Sequence, residues 1–157
     1  MPWNGSHLNQ FRKGREYYQS KWQQDEDSMF FDETHNQEEY ALGDILSEKN
    51  KSITWEYDFG DSWCHDVKLS SIGEYKEGEP LISFVKGERA CPPDDCGGIW
   101  GYDELMEKYE KLKSGKRLTK QEKEYLEWYL EEDFEPEFYD DETARIICAD
   151  YASEFKE

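Results

Sequence analysis

Two short stretches contain most of the side chains that could carry chemistry. The first reads YDFGDSWCH over residues 57–65, and the second reads GERACPPDDCGGIWGY over residues 87–102. Between them they offer carboxylates, an imidazole and thiols, the groups that proteins use to hold metal ions or to move protons. These two stretches are therefore where a metal, binding or catalytic site is predicted.

The thiols of Cys91 and Cys96 form a C-x4-C pair, at the long edge of zinc-site spacing and without a second pair downstream. A zinc site would need another ligand from the first stretch, and His65 is the predicted one, with Cys64 as its alternative. The absence of an export signal favours thiols or metal ligands over disulfides, and buried, reduced thiols are predicted ahead of the metal set. Cys148, on an apolar helix face, is predicted to be a buried thiol as well.

The second stretch is predicted to be a stiff loop that leads into a helix. Its Pro-Pro pair fixes two φ angles, and its glycines allow positive φ or a close backbone approach. A loop so constrained is often a binding surface. Together the two stretches predict a binding surface made of Asp58, Asp61, Trp63, His65, Arg89, Asp94, Asp95, Trp100 and Tyr102.

A structural interpretation of the same residues stays open. The loop would then be a rigid connector, in which Asp94 and Asp95 bond to turn amides. Trp100 and Tyr102 would be its apolar plugs. His65 would be a hydrogen-bonded core histidine, with a catalytic role as the alternative.

Two motifs that point to catalysis lack their partners. FGDS at residues 59–62 resembles the nucleophile block of GDSL-type esterases, whose base is a histidine late in the chain. The histidines here are His7, His35 and His65, so that triad cannot assemble. DFG at residues 58–60 spells the kinase magnesium motif, but no glycine-rich loop or catalytic loop accompanies it. No catalytic residue is therefore predicted.

Strand patterns dominate the N-terminal half. Residues 8–18 are predicted as a hairpin, and residues 52–59 alternate apolar and polar side chains as a half-buried strand does. That strand is expected to form a second hairpin with residues 63–72. Residues 81–85 are predicted as a further strand, and residues 25–39 as a surface loop anchored by their MFF triplet.

Helical patterns follow in the C-terminal half. A short helix is predicted at residues 40–46, and three longer ones at 103–113, 119–132 and 142–155, the second of these opened by a capping box. The stripe predicted to be buried on the last helix consists of Ala144, Ile147, Cys148, Tyr151, Ala152 and Phe155. Strands first and helices afterwards predict a single α+β domain over residues 1–157, an antiparallel sheet of hairpins packed against three helices.

The chain is strongly acidic: 38 Asp and Glu against 19 Lys and Arg give a formal net charge of −19. Such a surface repels phosphates, so binding to nucleic acid or to a membrane is not expected. Residues 108–123 are the exception, because seven basic and two acidic residues give that segment +5 and leave −24 elsewhere. A solvated helix pair is predicted there, with a docking patch for an acidic partner as the alternative. No bilayer-spanning apolar run and no export signal are present, so a cytoplasmic protein is expected.

The two stretches together resemble the plasmid pRiA4b ORF-3-like family, a group that includes transposon-passenger proteins of the TnpR type. That family pairs a YDFGD-x-W-x-H strand–turn–strand with a G-x-R-x-CPP-[DE]-D-C-GG-x-x-GY loop. Further matches are Trp3 followed by His7-Leu8 and Phe11, residues 42–46, and residues 133–138. The resemblance covers nearly the whole chain and implies association with plasmids and mobile elements, but it implies no particular activity.

The chain departs from the family pattern in two ways. Family members usually carry an extra strand and helix before the segment that Trp3 closes, so the chain is expected to lack the N-terminal part of the family domain. An absent first strand would leave a sheet edge open to pairing, which makes a homodimer a reasonable expectation. At Asn9 the family often has a histidine, two residues after the one that matches His7, so a paired role for these positions is not expected.

Three functions are open from the sequence. The leading prediction is a non-enzymatic binding or interaction module that contacts a protein partner through the surface defined above. The alternative is a metal-dependent, hydrolase-like enzyme with its site where the two stretches meet. Its ligands or acid–base groups would come from Asp58, Asp61, His65, Cys91 and Cys96, with zinc as the expected ion. The third is imitation of nucleic acid, in which the acidic surface occupies a basic partner.

Overall fold

The N-terminal half folds into a five-stranded sheet. The structure is a computed structural model and describes residue 3, residues 5–21, residue 23 and residues 33–154. Its strands are β1 (Asn9–Lys13), β2 (Glu16–Gln19), β3 (Glu33–Asn36), β4 (Ser52–Tyr57) and β5 (Trp63–Lys68). They lie in the order β3-β2-β1-β4-β5. Both predicted hairpins, β1–β2 and β4–β5, are confirmed, and β1 joins them by pairing antiparallel with β4.

Strand β3 corrects the prediction of a loop in this region and of a purely antiparallel sheet. It pairs parallel with β2, so that Tyr18 lies opposite His35 and the sheet is mixed. Its sequence shows no apolar alternation because β3 is an edge strand, held by backbone hydrogen bonds and by contact between the Tyr18 and His35 rings. The earlier part of the predicted loop, with its MFF triplet, lies outside the described residues.

Three longer helices follow the sheet in the sequence, and the short α1 (Leu42–Ile45) lies between β3 and β4. The longer helices are α2 (Gly98–Lys113), α3 (Lys120–Tyr129) and α4 (Asp141–Glu154), and a short 3-10 helix spans Gln37–Glu39. The α+β class and the three C-terminal helices are therefore confirmed. None of the described helices is long and apolar enough to cross a membrane.

Helix α2 begins five residues before the predicted start at Asp103. Gly97 precedes it with φ of 91°, and Gly98 opens it with φ of 66°. The Gly97 N–H is satisfied by Asp61, which lies far away in the sequence, so no local capping residue signals the start. In contrast, the predicted capping box of α3 is confirmed, with reciprocal bonds between Thr119 and Glu122.

Residues 69–97, between β5 and α2, contain no strand or helix, so the strand predicted at residues 81–85 is wrong. Val85 is 85% exposed, and Phe84 stacks on Tyr139 with 5.6 Å between the ring centroids. Arg145 of α4 also lies over the Phe84 ring. Phe84 therefore contacts the segment before α4 and α4 itself, and this run does not extend the sheet.

Three apolar clusters hold these elements together. One lies on the sheet and under α1, and its buried members are Tyr18, Ile45, Leu46 and Ile53. Another lies between α2 and α3 and consists of Leu105, Tyr109, Leu118 and Leu126. The third joins the β4–β5 hairpin to the loop before α2, through Tyr57, Trp63 and Cys96.

Helix α4 is less buried than its sequence predicts. Ala152 is buried, but Ile147 is 49% exposed and Tyr151 is 57% exposed. Cys148 is half-buried, so the expectation of a fully buried thiol is wrong. Phe155, the last predicted member of the stripe, lies outside the described residues. The spacing of the stripe predicts the helix correctly, but it does not tell how much of its apolar face is covered.

Candidate functional site

The two motif stretches lie against each other at the turn between β4 and β5. The Gly97 N–H donates to Asp61 Oδ2 at 3.0 Å. The Gly98 backbone comes so close to this turn that a Cβ at this position would lie 2.4 Å from the Asp61 carbonyl oxygen. Only glycine fits this approach, and its φ of 66° also favours glycine. The loop is therefore fixed on the turn by backbone contacts.

Trp3 binds the N-terminal segment to both stretches. Its ring stacks on Tyr57, with 4.8 Å between centroids and 6° between planes. Its Nε1–H donates to the carbonyl oxygen of Pro92 at 2.9 Å. From the other side, the Tyr129 hydroxyl of α3 donates to the carbonyl oxygen of Asp95 at 3.2 Å. The loop is thus held by the N-terminal segment, the hairpin and α3 together.

The thiols of the loop are packed and protonated. Cys96 is buried beside Tyr57 and Trp63, and Cys91 is half-buried. Burial raises the pKa of both thiols to about 11. A thiol with this pKa is a poor nucleophile at neutral pH. The structure thus has Cys91 and Cys96 as free, packed thiols, as the sequence favours.

His7 lies at the centre of a cluster of three carboxylates from the motif stretches. Its Nδ1 is 3.6 Å from Asp58 Oδ2, and its Nε2 is 3.4 Å from Asp95 Oδ2 and 4.0 Å from Asp94 Oδ1. The Asp58 side chain is 10% exposed, whereas the Asp95 side chain is 71% exposed. The cluster therefore extends from a buried carboxylate to an open surface.

Backbone geometry brings His7 to this position. Asp58 has φ of 56° and donates its N–H to the carbonyl oxygen of Leu8 at 2.8 Å, which ties the end of β4 to the residue after His7. Asp58 Oδ1 also accepts from the Gly60 N–H at 2.9 Å. The His7 side chain was missing from the predicted site. Its match to the family pattern, in the segment that begins with Trp3, was the available signal.

The other predicted site residues do not converge on this cluster. His65 Nδ1 lies 3.3 Å from the carbonyl oxygen of Trp55, and its ring packs against Trp55 and Trp3. Trp63 is buried at 9% exposure. Arg89 is paired with Glu137 outside the motif stretches, at 2.9 Å. His65 and Trp63 are thus core residues of the hairpin.

Tyr102 and Trp100 differ in burial although both follow the loop. Tyr102 is half-buried and packs against the cluster that contains Cys96 and against the cluster between α2 and α3. Trp100, by contrast, is 85% exposed. The interpretation of both residues as apolar plugs therefore holds for Tyr102 and is wrong for Trp100.

Two groups of three closely spaced possible metal ligands occur in the described residues. One is His7, Asp58 and Asp95, and the other is Glu16, Glu33 and His35. Neither group contains a member of the predicted zinc set, which is His65, Cys91 and Cys96. A metal at those three residues stays a prediction from sequence spacing alone.

The basic segment is partly paired. Lys108, Lys111 and Lys113 bond to Glu104, Glu122 and Glu135 respectively. Lys116, Arg117 and Lys123 have no ion pair among the described residues and line an open depression of about 480 Å³ at the α2–α3 turn. Lys120 pairs with Glu124 at 3.4 Å. The predicted balance of lysines by acidic neighbours therefore applies to the four paired lysines, and Lys116, Arg117 and Lys123 form an uncompensated cationic surface among the described residues.

The fold and the two joined motifs define an α+β protein with a carboxylate-rich loop clamped on a hairpin turn. The chain belongs to the plasmid pRiA4b ORF-3-like protein family, whose model matches residues 1–143. This confirms the resemblance carried by the two motif stretches.

The relatives found are described without an activity. A crystal structure of a protein of unknown function from Methanosarcina mazei Go1 is similar at a TM-score of 0.74 and 28% identity, over 91% of this chain and 75% of that chain. An uncharacterized protein, y4hQ, from Sinorhizobium fredii (strain NBRC 101917 / NGR234) is 43% identical over 61 residues. That match spans 36% of this chain and 29% of the relative's length.

Proposed function

We propose that the protein is a binding module that captures a protein partner through the surface where the loop meets the hairpin turn. The observation that carries the proposal is Trp100, whose side chain is 85% exposed in the first turn of α2. Ile99 beside it is 60% exposed. Both side chains directly follow a rigid, multiply anchored loop, and tryptophan is enriched at the energetic centres of protein interfaces.

The chemistry of this surface indicates the kind of partner. Asp95 is an exposed residue of this loop, and Asp61 of the hairpin turn lies at the contact between the turn and the loop. A partner surface with an apolar pocket for Trp100 and basic residues at its rim would complement both features. We call the group of Asp61, Asp95, Ile99 and Trp100 the motif surface.

The proposal is tested by co-purification from the native cells after cross-linking, with partners identified by mass spectrometry. We expect Trp100→Ala to reduce recovery of the partner by about 10-fold or more, because truncation of an interface tryptophan removes much of the binding energy. Its thermal melt should match that of the native protein, since the Trp100 side chain is 85% exposed. Tyr151→Ala, which removes an exposed aromatic side chain on α4, is the control. Equal recovery with native protein and Trp100→Ala would refute the motif surface as the contact.

A second candidate, a metal-dependent hydrolase, is favoured by the contact between the hairpin turn and the loop. This function requires the two stretches to meet, and the Gly97–Asp61 bond satisfies that condition. The test is turnover of ester and phosphodiester substrates with and without added divalent ions. Turnover that depends on the ion and is lost in Asp58→Asn would support the enzyme, whereas no turnover with a folded, metal-loaded protein would exclude it for those substrates.

A further inference from the structure

We infer that His7, Asp58 and Asp95 form a binding site for a divalent transition-metal ion, with Asp94 as a fourth donor. The donor set differs from the thiol-based set that the sequence spacing suggests, because it uses only one imidazole and three carboxylates. It brings together the N-terminal segment, the end of β4 and the loop before α2.

The spacing of the donors supports this site. One ligand atom from each of His7, Asp58 and Asp95 lies within 4.8 Å of the other two. Ligand atoms around a bound Zn²⁺ or Mn²⁺ are about 3 to 3.5 Å apart, given bonds of about 2.1 Å. The Asp95 side chain is 71% exposed and can rotate. Its carboxylate can therefore approach the other two donors to the spacing found around a bound ion without a change in the backbone. Asp58 and His7, at 10% and 27% exposure, provide the fixed side of the site.

Asp94 supplies an independent observation. The Asp94 side chain is 24% exposed, but its Oδ1 is buried, accepts no hydrogen bond from the described residues and lies 4.0 Å from His7 Nε2. A buried carboxylate oxygen without a donor is costly, since desolvation is not compensated. A cation held between this oxygen and the imidazole would satisfy it.

The charge of the cluster also favours a cation. At neutral imidazole the cluster carries three carboxylates, and no described lysine or arginine forms an ion pair with Asp58, Asp94 or Asp95. Like charges at this spacing repel each other in a partly buried environment. A divalent ion would offset this repulsion, and imidazole beside carboxylate is a donor set suited to Zn²⁺, Mn²⁺ and Fe²⁺.

The second group of possible ligands lacks these features. Glu16 already pairs with Lys13 at 3.3 Å, and Glu33 is exposed. His35 packs between the rings of Tyr18 and Tyr40. Because the Lys13 ammonium already neutralises a carboxylate of this group, the group serves as the internal control.

The inferred metal site shares Asp95 with the motif surface but uses neither Ile99 nor Trp100, so His7→Gln tests the metal site and Trp100→Ala tests partner capture separately. The two can fail separately. Loss of metal binding with partner recovery intact would leave the protein-binding proposal in place, and the reverse result would leave the metal site in place.

The experiment is isothermal titration of the full-length, metal-free protein with Zn²⁺ and, separately, with Mn²⁺. We expect one site per chain. Substitution of a ligand should lower the affinity by more than about 10-fold, the lower end of the loss seen when even a supporting residue of a metal site is changed. His7→Gln and Asp95→Asn are the test variants. Asp95 is exposed, so Asp95→Asn keeps the test valid even if His7→Gln is poorly folded.

Three controls separate this site from its alternatives. His35→Gln disrupts the second group and should leave the affinity unchanged. Asp66→Asn removes an exposed carboxylate on β5, so it reports how much of the affinity comes from the overall negative charge. A Cys91→Ser, Cys96→Ser double variant tests the thiol set. No binding by the native protein, or binding that is lost in His35→Gln or in the cysteine variant but kept in Asp95→Asn, would overturn the inference.

Discussion

Gly98 is the residue on which the contact between the loop and the hairpin turn depends most directly. Its φ of 66° lies in the left-handed region, and its missing side chain leaves room for the Asp61 carbonyl oxygen. Gly115, just after α2, has a similar φ of 73° but nothing within 4 Å of the position of a Cβ. The two glycines share the backbone requirement, and only Gly98 carries the close approach.

We expect Gly98→Ala to destabilise the protein more than Gly115→Ala does. Both substitutions force a left-handed alanine, at about 1–2 kcal/mol. Gly98→Ala must also displace the Asp61 backbone, which adds about 1–3 kcal/mol, as overpacking does. The free energy of unfolding from urea titration measures both values. Equal losses in the two variants would show that the contact with Asp61 contributes nothing to stability.

The residues of the candidate site were predictable only in part. The composition of the two stretches marks Asp58, Asp94 and Asp95 as unusual, and the structure brings these three together around His7. His7 itself comes from a distant segment, and its position depends on the bond from Asp58 to the carbonyl oxygen of Leu8. Contacts of this kind follow from strand pairing, which residue spacing along one segment does not encode.

The elements differ in how much of their placement is local. The capping box of α3 lies within four residues and is readable from the sequence. The start of α2 depends on Asp61 from the hairpin turn, and β3 depends on a parallel neighbour across the sheet. Strands before helices suffice to predict the α+β class, whereas the parallel edge strand and the true start of α2 need tertiary contacts.

Glu122 makes the stability of α3 depend on pH. A hydrogen bond from Lys111 first, and then bonds from the Thr119 backbone and hydroxyl, lower the pKa of this carboxyl from 4.5 to about 2. A depressed carboxyl pKa means that the folded state favours the ionised form. The stabilisation is complete above pH 4.5 and is lost as the pH falls towards 2.

We therefore expect Glu122→Gln to be less stable than the native protein at pH 7, with a difference that shrinks as the pH falls from 4.5 towards 2. Chemical denaturation at a series of pH values measures it. Glu127→Gln, which removes an exposed carboxylate without an ion pair in the described part of α3, controls for the change in net charge. A difference between native protein and Glu122→Gln that stays constant down to pH 2 would contradict the role of the ionised carboxylate.

At the scale of the whole molecule, the uneven charge is the dominant electrostatic feature. The formal net charge is −19, and the uncompensated cations at the α2–α3 turn belong to a segment of +5. Most ion pairs of the described residues are on exposed side chains, where each contributes at most about 1 kcal/mol. The repulsion among the remaining carboxylates acts over the entire surface and opposes the compact state.

Salt should therefore stabilise this protein. Raising the ionic strength to about 0.1 M shortens the screening length to about 10 Å, which weakens the long-range repulsion more than it weakens close pairs. We expect the melting temperature to rise by about 2–4 °C, the shift that about 1 kcal/mol produces in a chain of this size. A Lys116→Glu, Arg117→Glu variant changes the formal net charge from −19 to −23 and should show a larger rise. Differential scanning calorimetry in low and moderate sodium chloride measures both proteins. A melting temperature that falls with salt would mean that the paired surface charges, and not the net repulsion, control the stability.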